Sequence, residues 1–497
     1  MKLTRREFLK LIGTTSLLAS LDWSTMVRKA LAEVQDGTIS IIWFEAQDCA
    51  GDTTALIQAT DPDLLQVLGG LTQLTAPGAV ILPYHETVMP EWGPSAVAHL
   101  LLAIAGVYDP FVLVIEGGIA PDYALSGVDG SDMLCYVADV ETVNQALEKL
   151  MAVVEGKVPA DKVLPVVDIV KALNPNLAKK LLERAKAKAP ELERMVKDCL
   201  RGLQGEDVIS CARWISCLMK RAVVVMTAGN CASYGGVRGN TVAFSFAGNT
   251  DLVDLLKKQG FTKYEEWSKQ GWAHAPAGAT GFFPDPVRGY KGFAKIAADS
   301  GKEPYASAAR PYVNFIDRKC TPMRPGESDC KPAIAVPGCP ANGNALLRTA
   351  ANLILWARGV LPLPELDEYW RPKFIFGATV HEQCPRAAWY AAGVMRKYPG
   401  EPNAACLFSV GCKGPASNCP WNKVGWVNGV GGPTRTGGVC IGCTMPGFMD
   451  AYEPFYKPLP APTAPPATAS VVGSIVGAAV VGAAAAYGIK KLSEKGK

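Results

Sequence analysis

The stretch "ISIIWFEAQDCAGDTTALIQAT", residues 39–60, decides how the chain is read. Residues 39–44 are a run of β-branched and aromatic side chains broken only by Ser40, the composition of a strand buried on both faces of a parallel sheet. A turn carrying Cys49 follows, and "TTALIQAT" then starts a helix. Apolar runs of the same kind recur at 79–84, 111–116, 222–227 and 333–336, and helical periodicity is strongest at 94–105, 141–154, 175–200 and 344–358. This alternation predicts a doubly wound α/β domain, in which ligands sit at the carboxyl ends of the strands.

That rule selects residues. Cys49 follows the first strand, Glu116 closes the third, Cys231 in "AGNCASYGG" follows the fourth, and Cys339 in "VPGCP" follows the last. Three cysteines from three strand ends would converge on one edge of the sheet. Gly51, Gly229, Gly235, Gly236 and Gly338 would let backbone approach closely and point N–H groups at cluster sulfurs. Where a C-x-x-C pair would place its second thiolate, the chain has Asp52. Two readings of Asp52 stay open: an oxygen ligand completing a metal cluster, or the N-cap of the following helix beside a smaller cluster. Asp48 and Glu116 lie close by, as proton relays or as groups that only orient backbone.

Beyond residue 360 the sheet-like periodicity stops. "HEQCPR" supplies His381 and Cys384, "CLFSVGCKGP" supplies Cys406 and Cys412, "NCPWN" supplies Cys419, and "VCIGC" supplies Cys440 and Cys443. Zinc accepts these ligand types, but seven ligands do not divide into two tetrahedral zinc sites. They do divide into a four-ligand and a three-ligand iron–sulfur site, with Pro433 as an apolar occupant of the missing corner.

Composition narrows the class. At 497 residues the chain is about three times a typical domain. Its formal charge of +4 and the lack of a basic, aromatic-interleaved stripe argue against nucleic acid as a partner. The fifteen cysteines favour metal over a disulfide scaffold in a chain this long. At the N-terminus, Arg5 and Arg6 followed by Phe8, Leu9 and Lys10 and a weakly apolar stretch read as a twin-arginine signal over residues 1–32, with cleavage after Ala32. At the other end a Pro-rich linker, 456–468, precedes an uncharged apolar run, 469–489, of the length that spans a bilayer. A basic tail, 490–497, follows, which by the positive-inside rule puts the C-terminus in the cytoplasm and the folded body outside.

With these motifs in order, the chain resembles the small, electron-transferring subunit of membrane-bound [NiFe] uptake hydrogenases. The likeness extends to "VILPYHETVM", "VIEGGI", "NCASYGG", "VPGCPAN", "ELDEYWRPKFIFGATVHEQCPR", "CLFSVGCKGP" and "CIGCTMPGF", and spans residues 38–120, 222–240 and 333–452. It implies a flavodoxin-like domain over 36–358, a loop-rich iron–sulfur domain over 359–455 and a transmembrane helix at 469–489. It further implies a proximal [4Fe–4S] cluster on Cys49, Asp52, Cys231 and Cys339, a distal [4Fe–4S] cluster on His381, Cys384, Cys406 and Cys412, and a medial [3Fe–4S] cluster on Cys419, Cys440 and Cys443. The Ni–Fe centre belongs to a large partner subunit, whose paired C-x-x-C motifs this chain lacks. Electrons from hydrogen would leave through a membrane acceptor: a cytochrome b, a quinone-linked subunit or a sulfur-reducing one. The alternative is an electron-transfer subunit of a non-hydrogenase respiratory complex, against which the His381 and Cys440/Cys443 motifs speak.

The chain departs from this pattern in three places. Asp52 replaces a cysteine. Gly51 and Gly236 stand where an oxygen-tolerant branch carries two extra cysteines. Inserts near 150–220 and 240–332 bring Cys199, Cys211, Cys217, Cys320 and Cys330, and Cys135 also lies outside the motifs. Disulfides suit these in an exported protein, with Cys320–Cys330 the leading pair; an additional cluster on Cys199, Cys211 and Cys217 is the other reading. The first insert is expected to be a surface or partner-docking elaboration.

Overall fold

Strands that are apolar along their whole length need cover on both faces, and the fold supplies it. The computed structural model describes residues 39–61, 63–64, 80–164, 175–205, 207–240, 269–273, 278–322, 325–359 and 361–459. The export signal, the linker from residue 460 onward, the apolar run 469–489 and the basic tail lie outside the described residues. No helix among the described residues is long and apolar enough to cross a membrane.

Seven strands are present among the described residues: β1 (Ile39–Glu45), β2 (Val80–His85), β3 (Phe111–Glu116), β4 (Tyr136–Asp139), β5 (Val208–Ser210), β6 (Val224–Ala228) and β7 (Ala333–Val336). Five of them form one sheet in the order β2-β1-β3-β6-β7, every neighbouring pair parallel, while β4 and β5 make a small antiparallel ribbon. Ranked among themselves, the five follow the 2-1-3-4-5 order of flavodoxin-like sheets, whose switch point falls between the first and third strands. Every residue of β1, β3, β6 and β7 is buried.

The register has a direct consequence. Glu45 pairs with Glu116, Glu116 with Ala228, and Ala228 with Val336. Four strands therefore end level, and the loops bearing Cys49, Cys231 and Cys339 all leave from the same edge.

The helices Gly93–Ile104, Val140–Val154, Pro175–Cys199 and Gly343–Ala357 fall where periodicity places them. Three others, Cys211–Arg221, Phe293–Asp299 and Tyr305–Ile316, lie in the inserts. Cys211–Arg221 is buried from its first residue through Met219, with Trp214, Ile215 and Leu218 fully enclosed, whereas Pro175–Cys199, the helix expected to be a surface or partner-docking elaboration, buries only Leu177, Ala178, Ala189, Leu192, Val196 and Cys199.

Cys320 pairs with Cys330 as the spacing predicts. Cys135 pairs with Cys211 and Cys199 with Cys217, which removes the reading of Cys199, Cys211 and Cys217 as a further cluster site.

The chain divides into two units: one runs to Gly377 and regains Cys443–Ala451, and the other holds Ala378–Gly442 and the chain from Tyr452. The first unit thus continues past residue 358. Trp370 O accepts from Ala335 N of β7, and Tyr369 O accepts from the Tyr234 hydroxyl at 2.7 Å, which fastens 365–377 to the sheet.

Replacing Cys199 and Cys217 together by Ala opens a bridge across 18 residues and is expected to cost about 3 kcal/mol. Denaturant midpoints and iron content check this: the midpoint falls and iron per chain is unchanged. A loss of iron would contradict the disulfide assignment.

Candidate metal centre

At the end of β1 the chain turns sharply. Asp48 Oδ2 accepts from Ala50 N at 2.8 Å, and Ala50, left-handed at φ 52°, is the N-cap of the helix Gly51–Ile57. Ala50 offers no side-chain oxygen, so the first N–H groups of this helix need an acceptor from elsewhere. Glu116 at the end of β3 provides it: Oε1 accepts from Asp52 N at 3.0 Å and Thr53 N at 3.1 Å, while Oε2 accepts from Trp43 Nε1 at 2.8 Å and Thr53 Oγ1 at 2.5 Å. An anion at a helix start is favourable, and Glu116 acts there by orienting backbone. Burial still pushes its carboxyl above the ordinary range.

Asp52 occupies the second position of the helix and does not cap it, which removes the N-cap reading. Its carboxylate reaches away from its own helix: Oδ1 accepts from Ala341 N at 2.5 Å, two residues past Cys339. On the other side lies Gly229 at φ +83°, where a Cβ would collide with Asp52 Oδ2. The carboxylate is thus wedged between the segments that carry Cys231 and Cys339. Burial, then the charge of Glu116, drives its pKa well up. A carboxylate so enclosed requires a proton or a cation.

The thiols are arranged in the same sense. Burial pushes the Cys231 and Cys443 thiols up, and the backbone near Arg238 and Val237 at the first and near Cys339 at the second opposes the shift. Cys49 and Cys339 have exposed surface, yet the protein crowding Cys339, followed by Cys231, Cys443, Asp52 and Cys49, pushes its thiol up to about 12. Thiols that disfavour one another's ionisation, with backbone opposing the shift, fit a shared iron–sulfur group. A Cβ on Gly51 would lie 3.0 Å from Cys49 Sγ, and one on Gly236 2.9 Å from Cys231 Sγ, so the sulfurs occupy the space that side chains there would need.

Asp48 stands in an acidic group: Asp48, Glu45 and Glu116 each bring a carboxylate oxygen within 4.8 Å of the others. Glu45 is tied to His85 Nδ1 at 3.1 Å and to Thr87 Oγ1 at 2.7 Å. The sequence reading missed Glu45; its position level with Glu116 across β1 and β3 was the available signal.

In the second unit, His381, Cys384, Cys406 and Cys412 line a single cavity together with Leu407 and Thr434. His381 meets Tyr390 edge-on at 4.4 Å, and burial lowers its pKa, favouring the neutral imidazole that binds metal. Arg386 N donates to Cys384 Sγ, and Gly414 N and Cys440 N both donate to Cys412 Sγ, each at 3.4 Å. Soft donors with N–H groups on the sulfurs again fit iron–sulfur chemistry. Cys440 belongs to the apolar cluster of Val380, Leu407, Val410, Cys412 and Val439, with Cys419 against it; Cys443 belongs to the first unit.

Residues 376–456 match the C-terminal family of the NiFe/NiFeSe hydrogenase small subunit. Among curated relatives, the F420 non-reducing hydrogenase II small subunit of Methanosarcina mazei is 39% identical over 131 residues, 25% of this chain and 33% of that one. The uptake hydrogenase small subunit of Azotobacter vinelandii is 35% identical over 123 residues, 24% and 33%. The quinone-reactive Ni/Fe-hydrogenase small chain of Wolinella succinogenes is 34% identical over 128 residues, 25% and 35%. The matched part spans about a third of the length of these relatives. In structure, the actinobacterial-type NiFe-hydrogenase from Ralstonia eutropha H16 aligns with TM-score 0.53 at 23% identity, covering 85% of this chain and 83% of that one, a likeness of fold. Through the match over residues 49–353, more than half of its length, the chain belongs to the family described as NADH ubiquinone oxidoreductase, 20 Kd subunit, and its C-terminal match is to the hydrogenase small subunits.

Proposed function

We propose that this chain is the electron-transferring small subunit of a [NiFe] hydrogenase, paired with a large subunit that carries the Ni–Fe centre and splits hydrogen. The observation that carries the reading is the cavity in which His381, Cys384, Cys406 and Cys412 meet, inside the segment that matches hydrogenase small subunits. The reading as a subunit of a non-hydrogenase respiratory complex draws on the 49–353 match alone and leaves this cavity without a role.

Iron–sulfur clusters, when bound, supply one-electron carriers whose potentials follow ligand type, burial and hydrogen bonds to sulfur. Cys49, Asp52, Cys231 and Cys339 would hold the proximal [4Fe–4S] cluster, His381, Cys384, Cys406 and Cys412 the distal [4Fe–4S] cluster, and Cys419, Cys440 and Cys443 the medial [3Fe–4S] cluster. Backbone N–H groups donate to Cys384 Sγ and Cys412 Sγ, the kind of hydrogen bond that tunes a cluster's potential. Asp52 supplies an oxygen donor that is harder and less electron-releasing than thiolate, which raises the proximal potential. Neutral His381 lowers the negative charge at the distal site.

The partner acceptor is a membrane electron carrier, reached by a chain exported through the twin-arginine route and anchored at 469–489 with its body on the outer face. Three disulfides in a chain with nine free cysteines suit an oxidising compartment. The quinone-reactive small chain of Wolinella succinogenes supports a membrane electron acceptor.

The anaerobically purified complex is expected to reduce an artificial dye with hydrogen, and the chain freed of its partner is not; hydrogen-dependent dye reduction by the chain alone would overturn the division of labour. In Asp52→Cys the proximal potential falls with four irons retained, and in Asp52→Ala iron is lost from that site. Potentiometric titration and iron counting check both, and an unchanged potential with full iron in each variant would show that Asp52 binds no metal.

A further inference from the structure

Thr434 is 1% exposed and lies in the wall of the cavity that His381, Cys384, Cys406 and Cys412 share. Its main chain is fixed at two points. The backbone N–H donates to Asn422 Oδ1 at 2.9 Å, and the carbonyl oxygen accepts from Arg386 Nε at 2.6 Å. Arg386 also reaches Ala405 O through Nη1 at 3.0 Å, and its own backbone N–H donates to Cys384 Sγ at 3.4 Å. One arginine therefore registers Thr434 against the residues beside Cys384 and Cys406, and all of these groups belong to the second unit.

The Thr434 hydroxyl lies 3.3 Å from Cys384 Sγ, its one partner among the described residues. A hydroxyl has one proton to give and lone pairs with which to accept. With Cys384 as a thiol, the S–H donates to Thr434 Oγ1, and the hydroxyl proton is left as an unmet donor in a buried place. With the sulfur as a thiolate, the form that binds metal, the direction reverses: Oγ1 donates to Sγ and both groups are satisfied. The side chain therefore suits Cys384 as a ligand better than as a free thiol.

We propose that Thr434 is a tuning residue of the distal site, its hydroxyl donating to Cys384 Sγ and holding the potential of the iron–sulfur group there above the value that its ligands alone would give. This rests on the proposed hydrogenase reading, with His381, Cys384, Cys406 and Cys412 as the ligand set. A donor on a ligand sulfur stabilises the reduced, more negative state of the site more than the oxidised one. Thr434 stands 50 residues from Cys384 in the chain, so only the fold brings the two together.

Both other ties of Thr434 are made by its backbone, so Thr434→Val removes the hydroxyl and little else, while Thr434→Ser keeps the donor. The complete complex, purified anaerobically, is used. Iron per chain, the midpoint potential of the centre at His381, and the coupling of its reduced form to exchangeable protons in ordinary and heavy water are measured. The Val variant is expected to keep its iron, to lose one exchangeable-proton coupling, and to shift the reduction equilibrium about tenfold toward the oxidised form, a fall of about 59 mV for one electron. The Ser variant keeps the coupling and stays near the wild-type potential. Unchanged potential and coupling in the Val variant at full iron would overturn the proposal. So would equal shifts in Val and Ser, which would mark a packing effect, and so would loss of iron from the His381 site in the Val variant, which would make the position an assembly requirement. Absence of iron at that site in the wild-type complex would instead overturn the underlying reading.

Discussion

The level ending of four parallel strands is the constraint on which the rest of the molecule depends. Because Glu45, Glu116, Ala228 and Val336 stand in one row, every following loop opens on the same edge. A slip of one residue in any of these pairings would turn that strand's side chains to the other face and carry its cysteine off the common edge. Burial of both faces makes such a slip costly, so the core that stabilises the sheet also fixes the cysteine geometry.

A second consequence of that edge is a concentration of acids and thiols that cannot all ionise. Glu116 is relieved by two backbone and two side-chain donors, and Glu45 by His85 and two threonines. Asp52 receives one backbone N–H, and Cys339 faces Cys231, Cys443, Asp52 and Cys49. The groups that find donors build the scaffold. Those left facing one another are the groups that a cationic cluster core would satisfy.

The fold was legible wherever the signal was local. Five continuous apolar runs became the five strands of the sheet, and four periodic stretches became helices, because strand burial and helix periodicity are written in neighbouring residues. The strand-end rule brought Cys49, Cys231 and Cys339 to one edge. Signals that act at a distance were not legible. Cys320–Cys330 closes over 10 residues and was readable, whereas Cys135–Cys211 closes over 76 and depends on the β4–β5 ribbon. The helix Cys211–Arg221 carries Arg213, Ser216 and Lys220 among its apolar residues, which obscures its burial. The return of Cys443–Ala451 to the first unit is set by Asn230, Arg371 and Asp285, none of which is near it in sequence. Asp52 was legible as an anomaly; that it faces Ala341 and Gly229 required the fold.

The most direct measurement is an iron-edge anomalous map of the complex purified anaerobically from membranes. Iron is expected at the three cysteine sets, with four irons bounded by Cys49, Cys231 and Cys339 and an Asp52 carboxylate oxygen at bonding distance. A map without iron beside Cys49 would contradict this, since the edge to which the whole sheet delivers its loops would then hold no electron carrier.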